Sequence, residues 1–357
     1  MLNVILKIPS YYFFRLLGCP RKLPMNLTLS VTFNCNSRCK TCNIYRKKSK
    51  DLSLEEWKKI FKNLGEDLFW VTISGGEPFL RDDLPELVCS LYDYCQPSII
   101  NIPTNGLLKE RIIDTVSSVA AHCKKSQLVI NISIDEIEDK HDIIRGIPGN
   151  YEKAVETYKV LKSLDLFNVS IGIHTVISKF NVPRIPEIYQ HLRTLKPDSY
   201  ITEIAEERVE LNTVGTDITP EYQDYARAVD FLAKELAEDK FNRLGKITRA
   251  FRIEYYRIVK IILKERRQII PCYSGFASAQ IAPNGDVWMC CIKAESIGNL
   301  SDVGYDLKKV WFSEKAKIAR KRIKNGECYC PLANASYTNM LHDLKTLTRV
   351  GWNYIKS

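Results

Sequence analysis

From about residue 27 to residue 205 the chain alternates short apolar runs with amphipathic stretches. The runs Leu27–Phe33, Phe69–Ser74, Ser98–Pro103, Gln127–Asp135, Val169–Ile177 and Asp198–Ala205 read as strands. Side chains alternate faces along a strand, and the first five runs carry that period. Leu27, Leu29, Val31 and Phe33 share one face of the first run, with Thr28, Ser30 and Thr32 on the other. In the fourth, Ile130, Ile132 and Ile134 oppose Asn131, Ser133 and Asp135; in the fifth, Val169, Ile171 and Ile173 oppose Ser170, Gly172 and His174. Helical periodicity fills the intervals. One helix is predicted to start at Ser53 with Glu56 three residues on, and another near Asp83 with Glu86 at the same offset, the spacing of a capping box.

Strand–helix alternation predicts a parallel sheet. A parallel sheet covered on both faces reads as continuous Val, Ile and Leu, and a filled barrel packs its interior with bulky branched residues. Here one face is apolar, which suits covering helices. The other is small and polar, which suits a cavity holding a polar ligand. The expected fold is α/β: a partial (β/α)6 TIM-type barrel followed by a small cysteine-rich C-terminal domain. The division expected is an apolar extension (1–26), the barrel (27–215), a helical linker (216–267), the cysteine-rich domain (268–335) and a helical tail (336–357).

Two segments leave alternatives. Met1–Leu17 is apolar and aromatic but is interrupted by Lys7, Pro9 and Arg15. It is shorter than the ~20 apolar residues of a membrane span and lacks the basic n-region and cleavage site of a signal peptide. It is either packed across the barrel bottom, the favoured outcome, or an interfacial anchor associating peripherally with a membrane. The stretch 249–267 mixes Ile253, Tyr256, Ile258, Val259, Ile261, Ile262 and Leu263 with Arg and Lys. It is either a basic membrane-facing helix or, more commonly, a helix packing one apolar stripe. Leu27 opens the first strand, so no cobalamin-binding or peptide-recognition domain is expected ahead of it.

The chain has 357 residues and a formal charge of +10, which favours anionic partners such as nucleotides, phospholipid surfaces or an acidic electron carrier. A solvated basic surface is a commoner cause than nucleic-acid binding. The 12 cysteines fall in tight clusters in a long chain, which points to metal or redox ligands in a reducing, cytoplasmic compartment. Cys19, Cys89, Cys95 and Cys123 stand apart and are expected to behave as small core hydrophobes.

The chemistry is concentrated after the first strands. Cys35, Cys39 and Cys42 form a Cx3Cx2C cluster behind strand one, and Gly75-Gly76-Glu77-Pro78 follows strand two. Three thiolates can hold three irons of a [4Fe–4S] cubane and leave the fourth iron open; most clusters use four. A zinc site would call for four Cys or His ligands, and no histidine lies near. In spacing, order and position these motifs resemble the radical S-adenosylmethionine (radical SAM) enzymes. The resemblance implies that the cluster binds S-adenosylmethionine and that reductive cleavage yields a 5′-deoxyadenosyl radical, which takes hydrogen from a substrate. It also implies a reductant such as ferredoxin or flavodoxin. By the same resemblance Gly75, Gly76, Glu77 and Pro78 bind the methionine amino group, with the glycines admitting the ligand closely. The resemblance further implies that Asn105, Ser133 and Asp135, at the ends of strands three and four, contact the cofactor.

A second cluster reads Cys272-x12-Gly285-x4-Cys290, then Cys291, then Cys328-Tyr329-Cys330. It resembles the SPASM and twitch domains appended to radical SAM enzymes. That implies one auxiliary [4Fe–4S] cluster on Cys272, Cys290, Cys328 and Cys330, with Cys291 spare, for substrate binding or electron transfer. Zinc on the same four cysteines is the alternative. Asn284-Gly285-Asp286 fits a hairpin turn. His174 is the one histidine expected in the lumen, a structural role being the more common, and no catalytic residue or substrate is assigned: a lipid or prenyl group, a sugar, a nucleotide or a peptide all fit. Two other classes stand beside the enzyme: a basic zinc-containing RNA-binding protein, which calls for zinc and for stacking aromatics beside basic residues, and a non-catalytic iron–sulfur carrier, which has no use for the GGEP segment or a polar lumen.

Overall fold

All six expected strands form in the computed structural model, which describes residues 2–238 and 243–355. They are β1 (Asn26–Thr32), β2 (Trp70–Gly75), β3 (Ile99–Thr104), β4 (Gln127–Ser133), β5 (Val169–Ile177) and β6 (Ser199–Ile204). Neighbours pair in parallel in the order β6-β5-β4-β3-β2-β1. Their apolar faces, among them Leu27, Leu29, Val71, Ile73, Ile100 and Ile130, are buried with Trp57, Ile60, Phe61, Leu87 and Leu91 of the covering helices. The inward faces remain polar low in the barrel. Asn131 Nδ2 donates to Asn101 Oδ1 at 2.7 Å, and Trp70 Nε1 donates to Thr72 Oγ1 at 3.0 Å. Hydrogen bonds thus fill a space that branched apolar side chains fill in closed barrels.

The two helix starts differ. At Leu54–Leu64 the capping box is complete, with Ser53 N donating to Glu56 Oε2 at 2.8 Å. At Leu84–Cys95 Asp83 occupies the cap position but accepts no cap bond. Its carboxylate is held instead by Arg81, at 2.8 and 2.7 Å.

The cysteine-rich region is joined to the barrel by the sheet itself. A strand β7 (Ser278–Ile281) pairs in parallel with β1, and β8 (Asp286–Trp288) and β9 (Ser296–Asn299) continue the sheet antiparallel. The turn between β7 and β8 falls at the expected hairpin, where Gly285 has φ +88°. The small cysteine-rich domain expected from sequence thus shares one sheet with the barrel. The pairing of β7 with β1 joins segments remote in sequence, and no local pattern records it.

The helix Arg243–Glu265 packs an apolar stripe into the core. Tyr255, Tyr256, Ile258, Val259 and Ile262 are buried, and Arg252 Nη1 donates to the Tyr200 carbonyl at 2.6 Å. Parts of three expected segments lie outside the described residues: 239–242 of the linker, Met1 of the extension and 356–357 of the tail. The helix Leu2–Leu17 lies across the N-terminal ends of β1, β2 and β7. Tyr11 and Phe14 pack with Met25, Tyr273 and Phe276, and Phe69 packs against them. Tyr11 Oη donates to the Leu23 carbonyl at 2.7 Å. Cys95 and Cys123 are buried as expected, but Cys19 is exposed and is no core residue. Among the described residues no helix is long and apolar enough to cross a membrane.

Candidate active site

At the C-terminal ends of the strands a cavity of about 210 Å³, open to solvent, is lined by Cys35, Cys39 and Cys42, by Ser74 to Pro78, and by side chains from the later strands. The cysteine loop is held by backbone hydrogen bonds to other parts of the barrel. Arg38 N donates to Arg145 O at 2.9 Å, Lys40 N to Ile144 O at 2.8 Å and Asn43 N to Leu211 O at 2.9 Å. Gly146 makes the first contact possible: it has φ +67°, and a Cβ there would stand 2.5 Å from Arg38 O.

The GGEP segment has a local reason of its own. A Cβ on Gly75 would collide with the Thr32 carbonyl, and one on Gly76 with the Asn34 carbonyl. Gly76 N and Glu77 N donate to those same two carbonyls, at 2.7 and 2.8 Å. The glycines therefore let the exit of β2 approach the cysteine loop closely. Glu77 is buried, and its carboxylate accepts from Thr104 Oγ1 at 2.8 Å, Asn105 N at 2.8 Å and Phe79 N at 3.3 Å. Burial pushes its pKa up to about 7, against the downward pull of those bonds. Asn105 Nδ2 in turn donates to Asn36 Oδ1 at 2.7 Å and Ser37 Oγ at 3.0 Å. Glu77 and Asn105 thus tie the loops after β1, β2 and β3 into one wall. Pro78 and Ser133 also line the cavity.

Asp135 does not line it. It is buried one layer behind, pairs with Arg145 Nη2 at 2.9 Å and accepts from Val176 N at 2.9 Å. The side chain that reaches the cavity is Arg145, whose Nη1 lies 3.8 Å from Cys39 Sγ. Sequence reasoning missed it because an arginine ending a helix before glycine is an ordinary C-terminal signal. Burial pushes the Cys35 thiol up to about 11 and the Cys42 thiol to about 12; it also raises Cys39, with Arg145 pulling it back. Buried neighbouring thiols ionise when a metal replaces their protons. Three of them on one loop, beside a guanidinium that offsets the added negative charge, fit an iron–sulfur cluster.

A second, smaller cavity of about 70 Å³ lies beside β7. It shares Ser74 and Arg208 with the first and reaches Cys290 and Cys291. Cys290 is raised to about 11 by burial, and its electrostatic neighbours include Cys272 and Cys328; those of Cys330 include Cys272 and Cys290. The structure therefore gathers Cys272, Cys290, Cys328 and Cys330. Cys291 is buried facing Glu210 and Arg208. Among the described residues no group of three or more His, Cys, Asp or Glu closes on a single metal ion.

Where the two cavities adjoin runs an acidic wall that sequence reasoning did not find, because Glu203 read only as part of the last strand and no motif marked 206–210. Arg208 Nη2 stands 3.2 Å from Glu206 Oε1 and 3.7 Å from Glu203 Oε1. Glu210 accepts from Ser30 Oγ at 3.3 Å and from Gln280 Nε2. Burial raises Glu206 to about 7 despite Arg208. His174 does face the lumen, 3.8 Å from Glu203, and burial lowers its pKa.

Family models match two stretches of the chain, the radical SAM superfamily over residues 29–192 and the SPASM iron–sulfur cluster-binding domain over residues 272–331. The chain is a radical SAM enzyme with a SPASM domain. The radical SAM domain brings a [4Fe–4S] cluster and S-adenosylmethionine, and the SPASM domain brings auxiliary iron–sulfur binding. The chain is 22% identical over 341 residues to the antilisterial bacteriocin subtilosin biosynthesis protein AlbA of Bacillus subtilis strain 168, covering 88% of this chain and 69% of that protein. Streptococcus suis SuiB bound to S-adenosylmethionine superposes with a TM-score of 0.63 at 16% identity, over 84% of this chain and 68% of that one. Native anSMEcpe with bound AdoMet and the Cp18Cys peptide superposes with a TM-score of 0.59 at 15% identity, over 93% and 97%. The two structural likenesses concern the fold.

Proposed function

We propose that this radical SAM enzyme takes hydrogen from a peptide substrate held in the lumen between its two cysteine groups. The observation that carries the proposal is that the two cavities adjoin, sharing Ser74 and Arg208 in their linings. When bound, the cluster and S-adenosylmethionine supply a 5′-deoxyadenosyl radical; the protein's part is to bind, orient and exclude water. Cys35, Cys39 and Cys42 hold the first cluster, with the Arg145 guanidinium beside Cys39. Gly75, Gly76, Pro78, Asn105 and Ser133 shape the cofactor's berth, and Glu77 presents one edge of its carboxyl to it. Asp135 acts from behind by holding Arg145.

Cys272, Cys290, Cys328 and Cys330 hold an auxiliary cluster at the far end of the lumen. Arg208 and the glutamates around it, with His174, form the wall against which the substrate lies. Their excess of carboxylates suits substrate N–H donors, which a peptide backbone offers. The peptide class is supported by the named role of AlbA in bacteriocin biosynthesis and by the peptide bound to anSMEcpe. A low-potential donor such as ferredoxin or flavodoxin supplies the electron.

The test is anaerobic reconstitution, with iron and sulfide counted and 5′-deoxyadenosine assayed after dithionite and S-adenosylmethionine are added. About eight irons are expected, with 5′-deoxyadenosine formed. Deuterium transfer from labelled peptides into 5′-deoxyadenosine supports the substrate class. About four irons would remove the auxiliary cluster, and no cofactor cleavage would overturn the reaction. Cleavage without transfer from any peptide in the panel would overturn the substrate class alone.

A further inference from the structure

The helix Leu2–Leu17 is apolar on two opposite sides, and the protein covers one of them. Tyr11 and Phe14 point inward, Tyr11 being 1% exposed. Leu6, Tyr12, Phe13, Leu16 and Leu17 point outward, with Leu17 65% exposed. A helix apolar all round is ordinarily buried all round. Single exposed apolar residues need no explanation, whereas a cluster of five on one helix marks an interaction surface.

The neighbouring helix indicates what covers it. Glu314–Lys324 packs alongside, with Lys324 Nζ donating to the Leu16 carbonyl at 3.0 Å and Arg320 lying 5.1 Å from the Phe14 ring centre. That helix exposes Lys315, Lys317, Lys321 and Lys324 together with Ile318, and Glu314 is its one acidic residue. An apolar and aromatic strip bordered by lysines has the composition of an interfacial helix, with rings at headgroup depth and cations against anionic headgroups.

We propose that this face lies flat on an anionic lipid bilayer. The helix has 16 residues and carries Pro9, Lys7 and Arg15, so it rests in the interface and does not cross it. The orientation has a consequence for the reaction. The helix lies at the N-terminal ends of β1, β2 and β7, whereas the cavity opens at the C-terminal ends of the strands. A docked enzyme therefore turns the mouth of its lumen away from the membrane, and its substrate reaches it from the aqueous side. The inference rests on this face alone and stands whether or not the substrate is a peptide.

The experiment is co-sedimentation of the reconstituted full chain with vesicles of phosphatidylcholine alone or mixed with phosphatidylglycerol, at low and high salt. Binding to the anionic vesicles is expected to be at least about tenfold tighter and to weaken with salt. The double variant Phe13→Glu/Leu17→Glu is expected to lose about tenfold or more of that binding. Its 5′-deoxyadenosine formation and melting temperature should be unchanged, because both side chains are exposed. Absence of binding to anionic vesicles, or undiminished binding by the variant, would overturn the proposal. So would a concentration-dependent dimer in vesicle-free solution that the same variant abolishes, since the face would then belong to a second copy.

Discussion

The two cysteine groups are built in opposite ways. Cys35, Cys39 and Cys42 sit on one short loop, fixed by backbone bonds to Arg145, Ile144 and Leu211. Cys272, Cys290, Cys328 and Cys330 come from three segments: before β7, after β8 and beyond the helix Glu314–Lys324. Closing a short loop costs little chain entropy, and closing a long one costs more. The first group is therefore organised by the barrel before any metal binds. In the second, metal held as proposed would also fasten remote segments of chain, so its binding energy would become folding energy.

The sharpest test of that contrast is removal of a ligand from each group. Cys39→Ala should abolish 5′-deoxyadenosine formation, by more than about a thousandfold, because chemistry supplied by the cofactor is lost with its site. Iron should fall by about half while the melting temperature hardly moves. The double variant Cys328→Ser/Cys330→Ser should also lose about half the iron, but lower the melting temperature by roughly 10 °C in calorimetry. Substrate-independent 5′-deoxyadenosine formation should survive in it. Equal thermal effects from the two variants would break the contrast.

Arg145 tests whether the barrel prepares the first site. Arg145→Met leaves Asp135 buried without its cation and should cost about 3–5 kcal/mol in denaturant unfolding. Arg145→Lys should recover part of that, and an unchanged midpoint for Arg145→Met would show that the pair organises nothing. The smallest effect concerns the wall between the groups. Glu206 is a carboxyl raised to about 7 by burial, so the folded state binds its proton more tightly than the unfolded chain does. Stability is then highest below the unfolded value and falls as pH rises from about 4.3 to about 7. Between pH 5 and pH 8 the wild type should lose on the order of 3 kcal/mol relative to Glu206→Gln. Parallel pH profiles for the two proteins would place the carboxyl in water.

The parts of this architecture that depend on near neighbours were legible. Alternation at period two ran through five of the six strands and gave each of those a polar inward face, because the pleat turns successive side chains to opposite sides. Ser53 and Glu56 marked a helix start, since both partners of that cap lie within one turn. Asp83 did not behave alike: Arg81, two residues away, captured its carboxylate. The GGEP glycines were visible, but their neighbour was not. What Gly75 and Gly76 clear a path for is the carbonyl row of β1, which pairing brings against them.

By itself the sequence determined the strands, the two cysteine groups and the polar character of the lumen, because periodicity and spacing are written in neighbouring residues. Only the tertiary structure decided that β7 adds to β1 and joins the SPASM region to the barrel. It also decided that Arg145 rather than Asp135 faces the cavity, and that Glu203, Glu206 and Glu210 form one wall with Arg208. It left one face of the first helix uncovered. These are contacts between segments far apart along the chain. Which of several polar side chains reaches a cavity depends on a few ångströms of packing that no local pattern encodes.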